Sequence, residues 1–371
     1  MSDAELHALG TQVLWAAFVL ALGFGAIAQR THFCTMGAVA DVVNIGDWSR
    51  LRMWALAIGV AMLGFNAMVL LGWLRAADSV YAAPQWLWAS QISGGLMFGF
   101  GMVLASGCGS KTLVRVGGGN LKSLVVFVVL AMAAFATLKG ITAVVRVNSV
   151  DRLAWQLPAG QDLPSLAAWA FGGSAQRHAG WLGALCGGGL AAWALARREG
   201  RSGTVLLGGI GIGLLVVGAW WVSGRLGFVA EHPQTLEPTF LATNSRRMES
   251  FSFVSPLAYA LDWLMFFSDS SKLLTQGIVI VAGVVLGSAA VALVTGSFRW
   301  EGFRGVEDTA NHLVGAVLMG VGGVTALGCT IGQGLSGVST LSIGSFVALA
   351  AIVGGALLAL RWQVWRIERQ A

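Results

Sequence analysis

Charge is what this sequence has least of. Of its 371 residues, 11% are Asp, Glu, Lys or Arg, against about 25% in a soluble domain. A water-soluble globule of this size could not coat itself with so little polar surface, so that class is excluded. Tyrosine is scarce too: two residues, beside 16 tryptophans. Many of those tryptophans lie near the ends of apolar runs, where indole anchors at the level of lipid headgroups. The four cysteines, Cys34, Cys108, Cys186 and Cys329, contain no C-x-x-C pair, which removes the usual zinc and dithiol-redox patterns. No Ser/His/Asp set, metal-ligand cluster or phosphate-cradling loop occurs. The expectation is therefore no catalytic residue, no metal, no cofactor and no enzyme activity. No Lys/Arg run carries interleaved aromatics, so nucleic acid is not an expected partner; the net charge of +6 is better read as loop arginines and an attraction for anions. The opening MSDAELHALG is acidic and lacks the basic start of a cleaved leader. The first apolar run is expected to stay as a helix.

What is present is apolar length. Hydrophobic residues make up 56% of the chain and the mean hydropathy is +0.74. The 52 glycines are about twice the usual share of ~7%; in lipid, small residues let helix backbones approach closely. A spanning helix needs about 20 mostly apolar residues. Runs of that kind lie at 11–28, 51–74, 86–106, 121–138, 180–196, 203–222, 274–296, 312–329 and 341–361. Two shorter runs, 164–172 and 253–267, read as interfacial or re-entrant pieces, each opened by a proline (Pro164, Pro256) as helix starts often are. The expected fold is an all-α polytopic membrane protein of about nine transmembrane helices plus short re-entrant or interfacial helices.

Basic residues orient it. Arg197, Arg198 and Arg201 form a turn with one acid, and the tail carries Arg361, Arg366 and Arg369; the positive-inside tendency puts both in the cytoplasm. Counting spans backwards places the regions around 29–50 and 107–120 on the same side, with Arg30, Arg50, Arg52, Lys111, Arg115 and Lys122. Counting forwards places 223–252 outside and 297–311 inside. A multi-pass protein of the bacterial inner membrane with a cytoplasmic C-terminus is the expectation.

One stretch occurs twice. Residues 99–109 read GFGMVLASGCG and residues 320–330 read GVGGVTALGCT, superposed by a constant offset of 221 that also puts Gly94 on Gly315. Five expected spans separate Cys108 from Cys329. That number is odd, so the copies should point in opposite directions, the signature of an inverted-topology repeat with its substrate site near the bilayer midplane. The halves would be 1–196 and 203–371, joined by the basic turn 197–202, with unequal numbers of spans.

A glycine-rich break in an apolar run leaves backbone N–H groups that lipid cannot satisfy, so it must be buried in protein or line a cavity. Such N–H groups can hold an anion, and a thiol beside them is a soft, polarisable donor suited to a sulfur-bearing ligand. Two readings of Cys108 (with Gly107 and Gly109) and Cys329 (with Gly328 and Gly332) stay open: substrate-pathway residues, or small buried packing residues. Cys34 follows Gln29, Arg30, Thr31 and His32, either an anion-holding set or a short cytoplasmic loop. Arg30 and Lys111 stand near enough in sequence to steer an anion or lower a thiol's pKa. Arg246 and Arg247 either funnel anions at the outer mouth or form a solvated pair. Asn311 and His312 cap the eighth span or couple an ion. Cys186, mid-helix, reads as packing.

The strings GFGAIAQRTHFCTMGAVADVV, GFGMVLASGCGSKTLVRVGGGNLKSLV and GVGGVTALGCTIGQGLSGVST resemble the three cysteine motifs of the YeeE/YedE family of sulfur-transport membrane proteins. SGRLGFVAEHP and ATNSRRMESFSFVSP are also similar to that family, so the resemblance spans nearly the whole chain. It implies uptake of thiosulfate or a related sulfur anion through a pseudo-symmetric bundle, handed along by Cys34, Cys108 and Cys329; Cys186 has no counterpart in the pattern. It also implies that a small cytoplasmic carrier of the TusA type is a candidate partner. Two alternatives accompany it: transport of a selenium compound, and a membrane sulfurtransferase whose cysteines form persulfides.

Overall fold

The computed structural model describes residues 2–233 and 235–370. Its helices are α1 (Asp3–Thr31), α2 (Thr35–Ile45), α3 (Ser49–Leu70), α4 (Trp88–Leu104), α5 (Gly109–Gly117), α6 (Leu121–Lys139) and α7 (Ile141–Asn148). They continue with α8 (Leu163–Phe171), α9 (Ala175–Leu195), α10 (Gly203–Trp221), α11 (Ser255–Met265), α12 (Gln276–Val294), α13 (Val306–Thr325) and α14 (Ile343–Gln370). Strand is confined, among the described residues, to two antiparallel ladders of two residues per strand: Gln85–Trp86 with Trp155–Gln156, and Phe228–Val229 with Thr239–Phe240. The protein is an all-α polytopic membrane protein.

Nine long helices, α1, α3, α4, α6, α9, α10, α12, α13 and α14, coincide with the nine apolar runs. Seven helical stretches among the described residues are long and apolar enough to cross a membrane. The two long helices not among them are α9 and α13, and the reason lies in their first turns: α9 opens on Gln176, Arg177 and His178, and α13 carries Glu307, Asp308, Asn311 and His312. The short runs become α8 and α11, each with its proline in the first turn, where the missing N–H costs nothing. Helix starts are capped locally. Ser2 and Glu5 form a reciprocal box, and Asn120, Asp162, Ser174 and Ser202 each accept a backbone N–H three residues on.

The long helices pack at glycines. A Cβ on Gly101 of α4 would sit 2.7 Å from the Gly315 carbonyl of α13, and one on Gly322 of α13 would sit 2.6 Å from the Gly94 carbonyl of α4. Residue numbers rise along one helix as they fall along the other, so α4 and α13 cross antiparallel. The glycines let backbones touch, which replaces the hydrophobic driving force that lipid does not provide. Around this pair, α4 packs along α14 and α13 along α6; α1 packs along α12 and α10 along α3; α9 lies against the outside of α3. Apart from α3–α9, these pairings join an element before residue 197 to one after 202, so early and late parts of the chain interleave.

The segment 227–254 does not stay at the surface. Its last residues turn inward, and Phe251, Phe253 and Val254 are fully buried. Phe24 meets Phe251 and Phe253 at ring-centroid distances of 5.0 and 5.4 Å. This re-entrant end, with the broken helices described next, puts irregular backbone inside the bundle, where only protein or a cavity can satisfy it.

Candidate functional site: three buried thiols between two polar cavities

The three motif cysteines are built alike. A long helix stops; one non-glycine residue turns left-handed; one residue runs on; then the cysteine starts a short helix. His32 (φ 54°), Ser106 (φ 55°) and Leu327 (φ 60°) are the left-handed residues, each two positions before its cysteine. Cys34 is the N-cap of α2 and Cys108 the N-cap of α5; Cys329 precedes the π-helical turn Gly332–Gly337. A left-handed L-residue costs roughly 1–2 kcal/mol, and such outliers gather at functional sites. Three copies of one costly turn set three thiols at the starts of short helical segments, and two of the thiols accept backbone N–H groups. The Gly37 N–H donates to Cys34 Sγ at 3.4 Å and the Gly332 N–H to Cys329 Sγ at 3.4 Å. The Phe253 and Ile331 amides also face the Cys329 sulfur. Cys108 Sγ lies 3.3 Å from Ser110 Oγ.

All three are buried: 7% exposed for Cys34 and 0% for Cys108 and Cys329. Cys108 is within electrostatic reach of both others, so it stands between them. Cys186 sits apart, half-buried on α9. The two C-T pairs share another feature. Thr35 Oγ1 and Thr330 Oγ1, on the residues after Cys34 and Cys329, are buried and have no hydrogen-bond partner. An orphaned buried hydroxyl costs about 1–3 kcal/mol.

Polar cavities flank the thiols. One, of about 520 Å³, includes Gln29, His32, Ser106, Lys111, Arg115, Lys122, Arg299 and Arg304 in its lining, with Glu301 and Asp308 as the acids. Lys111, which lines it, is also within electrostatic reach of Cys34 and Cys108. Lys122 and Asp308 pair at 2.9 Å across α6 and α13. The other cavity, of about 140 Å³, is walled by Tyr81, Glu249, Tyr259, Gln276 and a group of serines. It lies toward Cys329: a Cβ on Gly332 would sit 3.5 Å from the Tyr81 hydroxyl, and Tyr81 is within electrostatic reach of Cys329. Burial pushes the Glu249 carboxyl up to about 7, against hydrogen bonds from Ser245 and the Asn244 amide that act the other way.

Of the residues expected to steer an anion, Lys111 lines the larger polar cavity. Arg30 is exposed at the end of α1, while its neighbours Gln29 and His32 face the larger cavity. Arg246 is exposed, and Arg247 reaches back to the Ala77 carbonyl at 3.3 Å; neither lines the smaller cavity. Of the four glycines beside the thiols, Gly328 takes φ 157°, an angle side chains avoid, and a Cβ on Gly107 would press on the Lys111 stem at 3.0 Å. Gly109 opens α5 and Gly332 opens the π turn. Sequence reasoning missed Gln276, Glu249, Arg299 and Arg304, which carry no motif.

Fold and site together define a polytopic helical membrane protein with three buried thiols and two polar cavities. Residues 30–358 match the family described as Sulphur transport, and the chain belongs to it; it is a transport protein, not an enzyme. It is 26% identical over 368 residues to the thiosulfate transporter TsuA of Spirochaeta thermophila, covering 91% of this chain and 94% of that one. It is also 26% identical over 366 residues to the thiosulfate transporter TsuA of Escherichia coli, covering 94% of each.

Proposed function

We propose that this protein imports thiosulfate, or a closely related small sulfur anion, across the bacterial inner membrane along the line Cys329, Cys108, Cys34. The observation that carries the proposal is the recurrence of one strained turn at three buried thiols lying between two polar cavities. The anion meets Cys329 from the smaller cavity, passes Cys108 and leaves past Cys34 into the basic cavity. Thiol S–H groups and backbone N–H groups share its charge, and the orphaned Thr35 and Thr330 hydroxyls take its oxygens. Several weak stations in series admit an ion and still release it. A carrier of the TusA type is the expected cytoplasmic receiver.

The proposal includes nine crossings, a cytoplasmic C-terminus and an inverted repeat. Support for nine crossings comes from sidedness. Every backbone pairing between distant segments joins residues that a nine-span count puts on one side: Ser79 with Met248, Asn120 with Glu301, Asp162 with Ser342, and both two-residue ladders. The lining residues of each polar cavity also fall on one side. Support for the repeat comes from the α4–α13 crossing. The 221-residue offset makes Gly94 equivalent to Gly315 and Gly101 to Gly322, and the contacts run Gly94 to Gly322 and Gly101 to Gly315. That is the self-complementary pattern of a two-fold axis, where i touches j and j touches i. The halves are 1–196 and 203–371, linked by 197–202, with α9 the unmatched helix.

The test is uptake of radiolabelled thiosulfate by proteoliposomes, with unlabelled sulfite, sulfate and selenite as competitors. Thiosulfate should compete best; competition by selenite alone would reassign the solute, and absence of uptake would end the reading. A mass gain of about 32 Da on the thiols after exposure would mark persulfide chemistry instead. A sharper result is expected from Thr330→Val. Removing an orphaned hydroxyl leaves the fold as stable or up to ~1 kcal/mol more so, yet uptake should fall several-fold. Lower thermal stability with unchanged uptake would show that the hydroxyl serves packing.

A further inference from the structure

The smaller cavity holds one carboxyl and no cation to balance it, which is an odd arrangement at the mouth of an anion path. The groups around Glu249 account for themselves elsewhere. Arg75 and Asp78 pair with each other at 2.8 Å, and Asp262 pairs with Lys272 at 2.7 Å. Arg247 turns to the Ala77 carbonyl, Arg246 and Arg225 are exposed, and Lys139 lies over the Tyr259 ring at 5.9 Å. Tyr81 and Tyr259 line the same space, their phenols kept neutral by burial. No charged group among the described residues perturbs the Glu249 carboxyl; what acts on it is burial, Ser245 Oγ at 3.2 Å and the Asn244 amide. The same cavity is lined by Gln276, 1% exposed, with both its amide nitrogen and its amide oxygen unpartnered. An amide left with neither bond is costly unless something occupies the space it faces.

We infer that this cavity docks the anion together with a proton, the proton held on Glu249 and the anion held by the Gln276 amide. A dianion beside a carboxylate in a half-buried site meets like charge with little water to screen it. With Glu249 protonated, the same group becomes a hydrogen-bond donor to the anion. By linkage the effect is reciprocal: proton binding raises anion affinity, and anion binding raises proton affinity by the same factor. Glu249 is the seat of that coupling because it is the carboxyl that lines this cavity, with no cation in the lining, and burial pushes it up to about 7. The inference rests on the transport reading above and adds a co-transported proton and its residue to it.

The experiment uses the full chain in proteoliposomes with labelled thiosulfate, the inner pH fixed and the outer pH varied. Initial uptake by the wild-type protein should fall about fivefold between pH 7 and pH 8, the drop expected as one required proton with a pKa of about 7 is lost. Glu249→Gln, which keeps the shape and cannot ionise, should flatten the profile to within about twofold over the same range. A second readout needs no variant: adding thiosulfate to the purified protein in weak buffer near pH 7.5 should remove a fraction of one proton per anion from solution. Robust wild-type uptake that is level across this range, no proton uptake on binding, or an unchanged slope in Glu249→Gln would each overturn the inference while leaving transport standing. Absence of wild-type uptake at every pH would remove the transport reading and the inference with it.

Discussion

Cys108→Ala is expected to lower thiosulfate uptake by about 100-fold while leaving the protein folded, a loss equivalent to ~2.7 kcal/mol on the transport barrier. The size follows from position. Cys108 is fully buried and is the thiol within charge reach of both others, so an anion leaving Cys329 has no soft donor ahead of it once this sulfur is gone. A full charge near the bilayer centre is expensive, and each lost contact appears directly in the barrier. The fold should survive. The Sγ has one side-chain partner, Ser110, and deleting one atom from a packed site costs on the order of 1 kcal/mol. Cys108→Ser should retain part of the activity, because a hydroxyl donates but lacks the soft, polarisable sulfur. Cys186→Ala, away from the site, is the control and should transport normally. Uptake by Cys108→Ala within about twofold of wild type, at matched insertion and matched chromatographic behaviour, would remove the thiols from the pathway.

Some of this was visible in the sequence and some was not, for definite reasons. The breaks at Cys108 and Cys329 announced themselves through glycines that a helix interior avoids. The left-handed residues that shape them did not, because His32, Ser106 and Leu327 are not glycine and tertiary packing holds them there. The nine apolar runs became nine long helices, but α9 and α13 begin on polar turns that dilute their hydropathy. Arg246 and Arg247 drew attention as the densest charge on the outer segment, yet their side chains turn away from the cavity. Glu249, two residues on, looked like an ordinary loop acid; only the re-entrant turn that buries Phe251 and Phe253 carries it inward. Gln276 was the polar edge of an apolar run and became a buried wall.

Gly101→Leu and its equivalent Gly322→Leu are expected to abolish the folded protein, and to do so to the same degree. At the α4–α13 crossing a Cβ on Gly101 would sit 2.7 Å from the Gly315 carbonyl, and one on Gly322 would sit 2.6 Å from the Gly94 carbonyl. Both collisions are with backbone, which cannot rotate aside as a side chain can. Relief requires the helices to separate, and in lipid no hydrophobic gain from elsewhere restores the lost contact. Both helices carry a thiol motif at their ends, so separation also moves Cys108 away from Cys329. The expected reading is loss of a monodisperse peak after extraction, or a fall in melting temperature of more than ~15 °C, from a penalty of several kcal/mol. Gly189→Leu on α9, where an added Cβ meets nothing within 4 Å, should move the midpoint by less than about 2 °C. Equal damage at Gly101 and Gly322 is the particular demand of a two-fold relation, because each residue then occupies the other's place in the partner half. Unequal damage, with one leucine tolerated at its crossing, would leave two helices that share a motif without sharing an axis.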